Sequence, residues 1–333
     1  MQKLFVKSQD CCTFAAVFRE RSMLLEFVWI VVCMAVVLWG ADRFTDGACA
    51  LARRLKVSEL VIGLTVVALG TSLPEFIVSF MSVLRGSGDM SVGNIVGSNV
   101  FNALVVIGAS AIMLGLKVES SLLRRDLPLM LIVSVMLIVF AGVNRVIDLW
   151  EGLAFLAFFG VYTLIAYRIG LRDRKASQQA IPAEQMPVWK ILLYIIVGIA
   201  ALVVGGRFLV DNAAAVARRF EISESVIGIT ILAAGTSLPE LMTSIVAARK
   251  GSEGLALGNA IGSNIFNISF VLGICSTVSP IVVTELTLTD WVMLIGSCLL
   301  VWLLAWTGRK LSRREGIVLI LCYLVYLVLL LKA

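Results

Sequence analysis

The sequence predicts an all-α polytopic membrane protein with about ten transmembrane helices in two inverted five-helix repeats. Three observations carry that reading. Of the 333 residues, 60% are hydrophobic and only 15% are charged, where soluble domains keep about a quarter of their residues charged. Apolar stretches of the ~20 residues needed to cross a bilayer recur about ten times along the chain. The chain also matches itself when shifted by 165 residues, and a unit with an odd number of crossings must enter the membrane from the opposite side the second time.

Taken in order, the expected spans are 27–41, 60–84, 92–116, 127–143, 147–169, 188–210, 226–248, 255–278, 288–306 and 316–331. They are helices because lipid cannot satisfy backbone polar groups, and runs such as Ile191 to Val204 lack the polar alternation of a β-barrel. The domain organisation follows: 1–22 is an N-terminal extension, with an over-long start and initiation at Met23 as one reading of it. Residues 23–169 form the first repeat, 170–187 a polar linker and 188–333 the second repeat.

The net charge of +6 does not point to nucleic acid, because the Lys and Arg residues sit between the apolar runs. Eighteen of them fall on the face that holds the linker and ten on the other. By the positive-inside rule the linker is cytoplasmic, both termini lie outside, and the membrane is the cell membrane. Cys11, Cys12, Cys33, Cys49, Cys275, Cys298 and Cys322 have neither paired nor metal-like spacing, so they read as packing residues rather than disulfides. No His is present, which removes the usual zinc or copper ligand. With no nucleophile and base pair either, the chain does not read as an enzyme, and no cofactor is implied.

The repeat carries the chemistry. Residues 63–102 align without gaps with 228–267, and 19 of the 40 positions are identical. Upstream, Asp46, Arg53, Arg54, Ser58 and Glu59 recur as Asp211, Arg218, Arg219, Ser223 and Glu224. Glu75 and Glu240 are the acidic residues deep within apolar segments, at equivalent positions, and a carboxylate at bilayer depth is retained for function by default. Each ends the motif Gly-Thr-Ser-Leu-Pro-Glu. Pro74 and Pro239 cannot donate to the turn before them, so the helix is expected to break there and release carbonyls, among them those of Ala68, Thr71, Ala233 and Thr236. Thr71 and Glu75 share a helical face, as do Thr236 and Glu240.

The second motif, Gly-Asn-x-x-Gly-Ser-Asn-x-Phe-Asn, places Ser98 and Asn102 on one face, and Ser263 and Asn267 repeat them. These are neutral oxygen donors, although Ser and Asn also serve as glue between membrane helices. Gly93 with Gly97, and Gly258 with Gly262, form small-residue patterns that let a neighbouring helix approach. Two carboxylates with amide, hydroxyl and carbonyl oxygens suit Ca²⁺ or Na⁺ as transported ions better than Mg²⁺, which sheds water reluctantly.

At these motifs the chain resembles the calcium/cation antiporter superfamily, specifically the prokaryotic Na⁺/Ca²⁺ exchangers, across both repeats. The resemblance implies ion binding at Glu75 and Glu240, with Thr71, Ser72, Ser98 and Asn102 from one repeat and Thr236, Ser237, Ser263 and Asn267 from the other. Carbonyls of Ala68 and Ala233 complete the implied set. Some members carry Asp where this chain has Asn267, so one potential charge is missing here, and the sodium count and any role of H⁺ or K⁺ stay open. The expected mechanism is alternating access, in which the first and sixth segments slide across a pocket enclosed by the second, third, seventh and eighth. An H⁺/Ca²⁺ antiporter on the same fold and a passive cation channel are the alternatives. Asp46 and Asp211 read as interfacial ion-pairing residues rather than ligands.

Overall fold

The computed structural model describes the backbone of residues 2–176, 186–220 and 233–330, with side chains within 25–141, 145–169, 186–220 and 234–330. The first repeat opens with α1 (Gln2–Leu55), whose membrane-length part is Leu25–Leu55. It runs without a break at Met23 and ends where Lys56 turns left-handed (φ 57°). Ser58 then caps the next helix by accepting from the Val61 amide at 3.4 Å. There follow α2 (Glu59–Thr71), α3 (Leu73–Leu84) and α4 (Gly88–Leu114). The strand β1 (Leu116–Lys117) leads to α5 (Leu127–Asn144), and the strand β2 (Val146–Ile147) to α6 (Leu149–Ala176).

The second repeat is built alike. It comprises α7 (Val188–Arg219), α8 (Ala233–Thr236), α9 (Leu238–Arg249), α10 (Glu253–Val278), β3 (Ile281–Val282), α11 (Leu288–Trp306), β4 (Lys310–Leu311) and α12 (Arg313–Leu330). Among the described residues, six unbroken helices are long and apolar enough to cross a membrane, and α2 with α3, bent by 48°, makes a seventh if the pair is counted as one span. The other expected spans correspond to α5 and α12, of 18 residues each, and to α8 with α9. Part of the seventh expected span, 226–232, and linker residues 177–185 lie outside the described residues.

Three expected edges move. The spans expected at 27–41 and 188–210 stopped at the charged residues Asp42 and Asp211, yet α1 and α7 continue to Leu55 and Arg219. Inside the helices these charges have ion-pair partners: Asp46 meets Lys250 at 2.6 Å and Asp211 meets Arg207 at 3.9 Å. Likewise α6 extends to Ala176, into the expected linker.

Burial separates centre from periphery. The membrane windows of α4 and α10 are each 78% buried within the protein, whereas those of α1, α6 and α7 are 22% buried. The helices carrying the Gly-Asn motif are therefore the core, and α1 and α7, packed lengthwise on each other, lie toward the lipid. At Gly258 and Gly262 the expected close approach is made: a side-chain carbon would stand 2.7 Å from the Leu60 carbonyl oxygen and 2.7 Å from the Leu64 Cα. Helix α2 thus lies directly on α10. The shift-equivalents of Leu60 and Leu64, at positions 225 and 229, are outside the described residues.

Two short antiparallel pairings tie the repeats together. Leu116 faces Leu311 in β1·β4, and Val146 faces Val282 in β2·β3. The 165-residue shift turns β1 into β3 and β2 into β4, so it exchanges the two mini-sheets. That is the signature of a two-fold axis between inverted halves. Strands of two residues leave no alternating pattern, and the sequence did not announce them.

Candidate functional site

Each acidic residue sits in the first turn of a helix that follows a bend. Pro74 and Pro239 occupy the opening positions of α3 and α9, where a missing N–H is harmless. Glu75 and Glu240 come next, where the exposed amides of a helix start favour a carboxylate. The bend is confined to one residue, Ser72 (φ −83°, ψ 10°) or Ser237 (φ −86°, ψ 9°). It is narrower than proline alone suggests, because the Ser72 amide still donates to the Ala68 carbonyl at 3.1 Å. The expected release of the Ala68 carbonyl is therefore corrected: it stays in the helical ladder, with Ser263 Oγ at 3.5 Å. The surroundings of Ala233 lie outside the described residues.

The two bent segments meet through crossed hydrogen bonds. Ser72 Oγ donates to Glu240 Oε1 at 2.8 Å, and Ser237 Oγ donates to Glu75 Oε1 at 2.8 Å. Each serine thus serves the carboxylate of the other repeat. Both carboxylates are fully buried and close enough for their charges to act on each other. Thr236 and Ser98 stand beside the Glu75 carboxylate without closing a hydrogen bond. Thr71 lies near Glu240, and Ser263 Oγ is 3.5 Å from Glu240 Oε1.

The unused acceptors matter most. Glu75 Oε2, Glu240 Oε2, Ser98 Oγ, Thr236 Oγ1, Asn102 Oδ1 and Asn267 Oδ1 are all buried without a hydrogen-bond partner in the protein. Leaving one such group unsatisfied costs about 1–3 kcal/mol, more for a charged one, so several in one protein core mark it as a candidate ligand site. Among the described residues no third acidic, His or Cys side chain joins the two carboxylates. The donors are hard oxygens carrying two charges at most, a set suited to Ca²⁺ or Na⁺.

Four asparagines went unassigned in the sequence, although both copies of the second motif contain them. Asn259 Nδ2 donates to the Glu240 carbonyl at 3.1 Å and to Ser244 Oγ at 2.9 Å. Asn94 Nδ2 does the same for the Glu75 carbonyl (3.4 Å) and Ser79 Oγ (3.0 Å). They fix the backbone that bears each carboxylate. Asn99 and Asn264 exchange side-chain-to-carbonyl bonds of 3.0 Å across the two-fold axis, clamping α4 to α10. Asn267 Nδ2 donates to Asn99 Oδ1 at 3.1 Å, which leaves its own oxygen free. Asn102 and Asn267 each open a π-helical stretch, Asn102–Val106 and Asn267–Leu272. Such wide turns recur at functional sites.

A cavity of about 1070 Å³ borders the site. Thr236 and Pro239 stand on one wall and Asn94 and Gly97 on another, and the cavity extends past Arg85, Arg207 and Asp211 toward the surface.

Inverted membrane repeats that bury two acidic side chains in an oxygen-lined centre define a secondary transporter of cations rather than an enzyme. A family profile described as "Sodium/calcium exchanger protein" matches residues 25–168 and 190–332. The chain belongs to that sodium/calcium exchanger family. It is 35% identical over 324 residues to the inner membrane protein YrbG of Escherichia coli, covering 92% of this chain and 97% of that protein. It is 32% identical over 346 residues to the sodium/calcium exchanger MaX1 of Methanosarcina acetivorans, covering 92% and 98%. Its fold resembles the solved sodium–calcium exchanger NCX_Mj soaked with Na⁺ and Sr²⁺, with a TM-score of 0.78, 30% identity, and coverage of 93% of this chain and 99% of that one.

Proposed function

We propose that this protein exchanges Ca²⁺ for Na⁺ across the cell membrane by alternating access. The cargo binds between Glu75 and Glu240, with oxygens from Thr71, Ser72, Ser98, Asn102, Thr236, Ser237, Ser263 and Asn267, the carbonyl of Ala233, and the carbonyl of Ala68 through the lone pair its helical hydrogen bond does not use. The observation that carries this reading is the crossed Ser–Glu pair. It uses one oxygen of each carboxylate, and the second oxygen of each stays buried without a partner. One Ca²⁺ neutralises both carboxylates, and two Na⁺ do the same, so the ions compete for the same charges and their movements are coupled. With Asn at 267 the site relies on two negative charges. The Lys and Arg distribution supports a cytoplasmic linker and outside termini.

The test is flux into proteoliposomes. Ca²⁺ uptake is expected when Na⁺ is higher inside than outside, and is expected to vanish when the Na⁺ gradient is collapsed. Uptake driven by a pH gradient alone replaces Na⁺ with H⁺ as the coupling ion and overturns the sodium reading.

A further inference from the structure

The 165-residue shift maps Asp42 onto Arg207, Asp46 onto Asp211, and Arg85 onto Lys250. These equivalent groups make different bonds. Lys250, at the end of α9, donates to Asp46 Oδ1 at 2.6 Å and to the Asp42 carbonyl at 3.1 Å, and lies 2.6 Å from Asp42 Oδ1. It therefore ties α9 to α1, and Arg43 joins the cluster through Asp42 and, at 3.8 Å, Asp46. In the other half, Asp211 pairs along its own helix with Arg207 at 3.9 Å, and their side chains are 61% and 84% exposed. Arg85, at the end of α3 and also exposed, lines the same cavity as both without pairing to either.

A second, independent difference is found deeper in the protein. Thr71 Oγ1 donates to Asn259 Oδ1 at 2.9 Å, joining α2 to α10, whereas its counterpart Thr236 Oγ1 is buried without a partner. Lys250 joins the halves where α9 ends, and Thr71 joins them at the depth of the carboxylates. Where α3 ends, the equivalent Arg85 and Asp211 make no such bond.

We infer that Lys250 and Arg85 are alternating latches of the transport cycle, a proposal that rests on the alternating-access reading above. Lys250 holds α1 when the α9 face is closed. When α1 and α7 slide together, that cluster parts and Arg85 takes Asp211 on α7, closing the α3 face. The latches are unequal by composition: Lys250 meets two carboxylates, whereas Arg85 meets one, because Arg207 stands where the first cluster has Asp42. The resting equilibrium therefore favours the Lys250-latched state, the one the structure displays.

Two matched thiol pairs test this in the full-length protein in membranes, with the other cysteines replaced. Cys49 Sγ and Ser252 Oγ are 3.2 Å apart, so Ser252→Cys with native Cys49 reports the displayed state through oxidative bridging. The shift maps that pair onto Ala214 and Ser87, so Ala214→Cys with Ser87→Cys reports the opposite state. Lys250→Met is expected to speed bridging of the 87/214 pair by about fivefold and slow that of the 49/252 pair, while Lys250→Arg leaves both near the original rates. Arg85→Met is expected to slow the 87/214 pair by about fivefold. The latches are overturned if both Met variants shift the pairs in the same direction, if neither shifts them, or if the 87/214 pair never bridges. Bridging does not depend on the coupling ion, so a failed sodium-driven flux leaves this result standing, and the reverse also holds.

Discussion

The two carboxylates are held alike, but the shells behind them are not. Glu75 and Glu240 each take a 2.8 Å bond from the opposite serine, and an asparagine holds the carbonyl of each. Behind Glu240, Thr71 is bound to Asn259, and Lys250 clamps Asp46; behind Glu75, Thr236 is unpartnered, and Arg85 stands clear of Asp211. Near-identical motifs thus occupy two environments in one molecule. On the proposed function the symmetric part is what would hold an ion, and on the latch inference the asymmetric part marks which face is closed. A transporter needs both, since a fully symmetric molecule has no preferred side from which to load.

The comparison can be broken most forcefully at the carboxylates. Glu75→Gln and Glu240→Gln keep the shape and remove one of two charges, so each is expected to lower Ca²⁺ exchange by about a hundredfold, equivalent to ~2.7 kcal/mol, in a protein that still inserts and folds. Flux assays on both, with size-exclusion profiles as the folding control, check this. Retained transport in either one ends the claim that the halves contribute equally. A smaller effect belongs to the serines. Ser72→Ala and Ser237→Ala each delete a hydrogen bond to a carboxylate worth about 1.5–3 kcal/mol, so ion affinity is expected to change by roughly tenfold or more in both. Isothermal titration would expose any inequality between them. The smallest effect sharpens the asymmetry: without ions, Thr71→Val is expected to lower stability by about 1 kcal/mol through loss of the Asn259 bond, while Thr236→Val leaves it near unchanged. Thermal unfolding of the two variants in detergent measures the difference, and equal losses would mean that the displayed state is not the dominant one.

Much of the fold was legible because duplication and hydropathy are long-range patterns that survive local irregularity. The inverted repeats followed from the 165-residue shift together with the five apolar segments in each copy. Edges were read short where charge was equated with the end of a span. Asp42, Arg43 and Asp46 lie within α1, and only their tertiary partners explain how they stay there. The site residues were flagged by position within repeated motifs, but spacing speaks only about one helix at a time. It put Thr71 and Glu75 on one face, yet it could not show that Ser72 reaches Glu240 rather than Glu75, because that choice is made by the crossing of two bent helices. Asn94, Asn99, Asn259 and Asn264 stood in both motif copies and were passed over, since asparagine near a membrane glycine reads equally well as helix-packing glue. The unequal shells were only partly in the sequence: Arg207 in place of Asp42 is visible there, but that Thr71 is satisfied and Thr236 is not depends on the fold.

The paired mini-sheets carry an implication about ancestry and folding. Because β1 bonds to β4 and β2 to β3, neither half can complete its own strands. A lone unit would leave a bare edge at both membrane surfaces. A second copy threaded upside down would cover them, as the tandem repeat does within this chain.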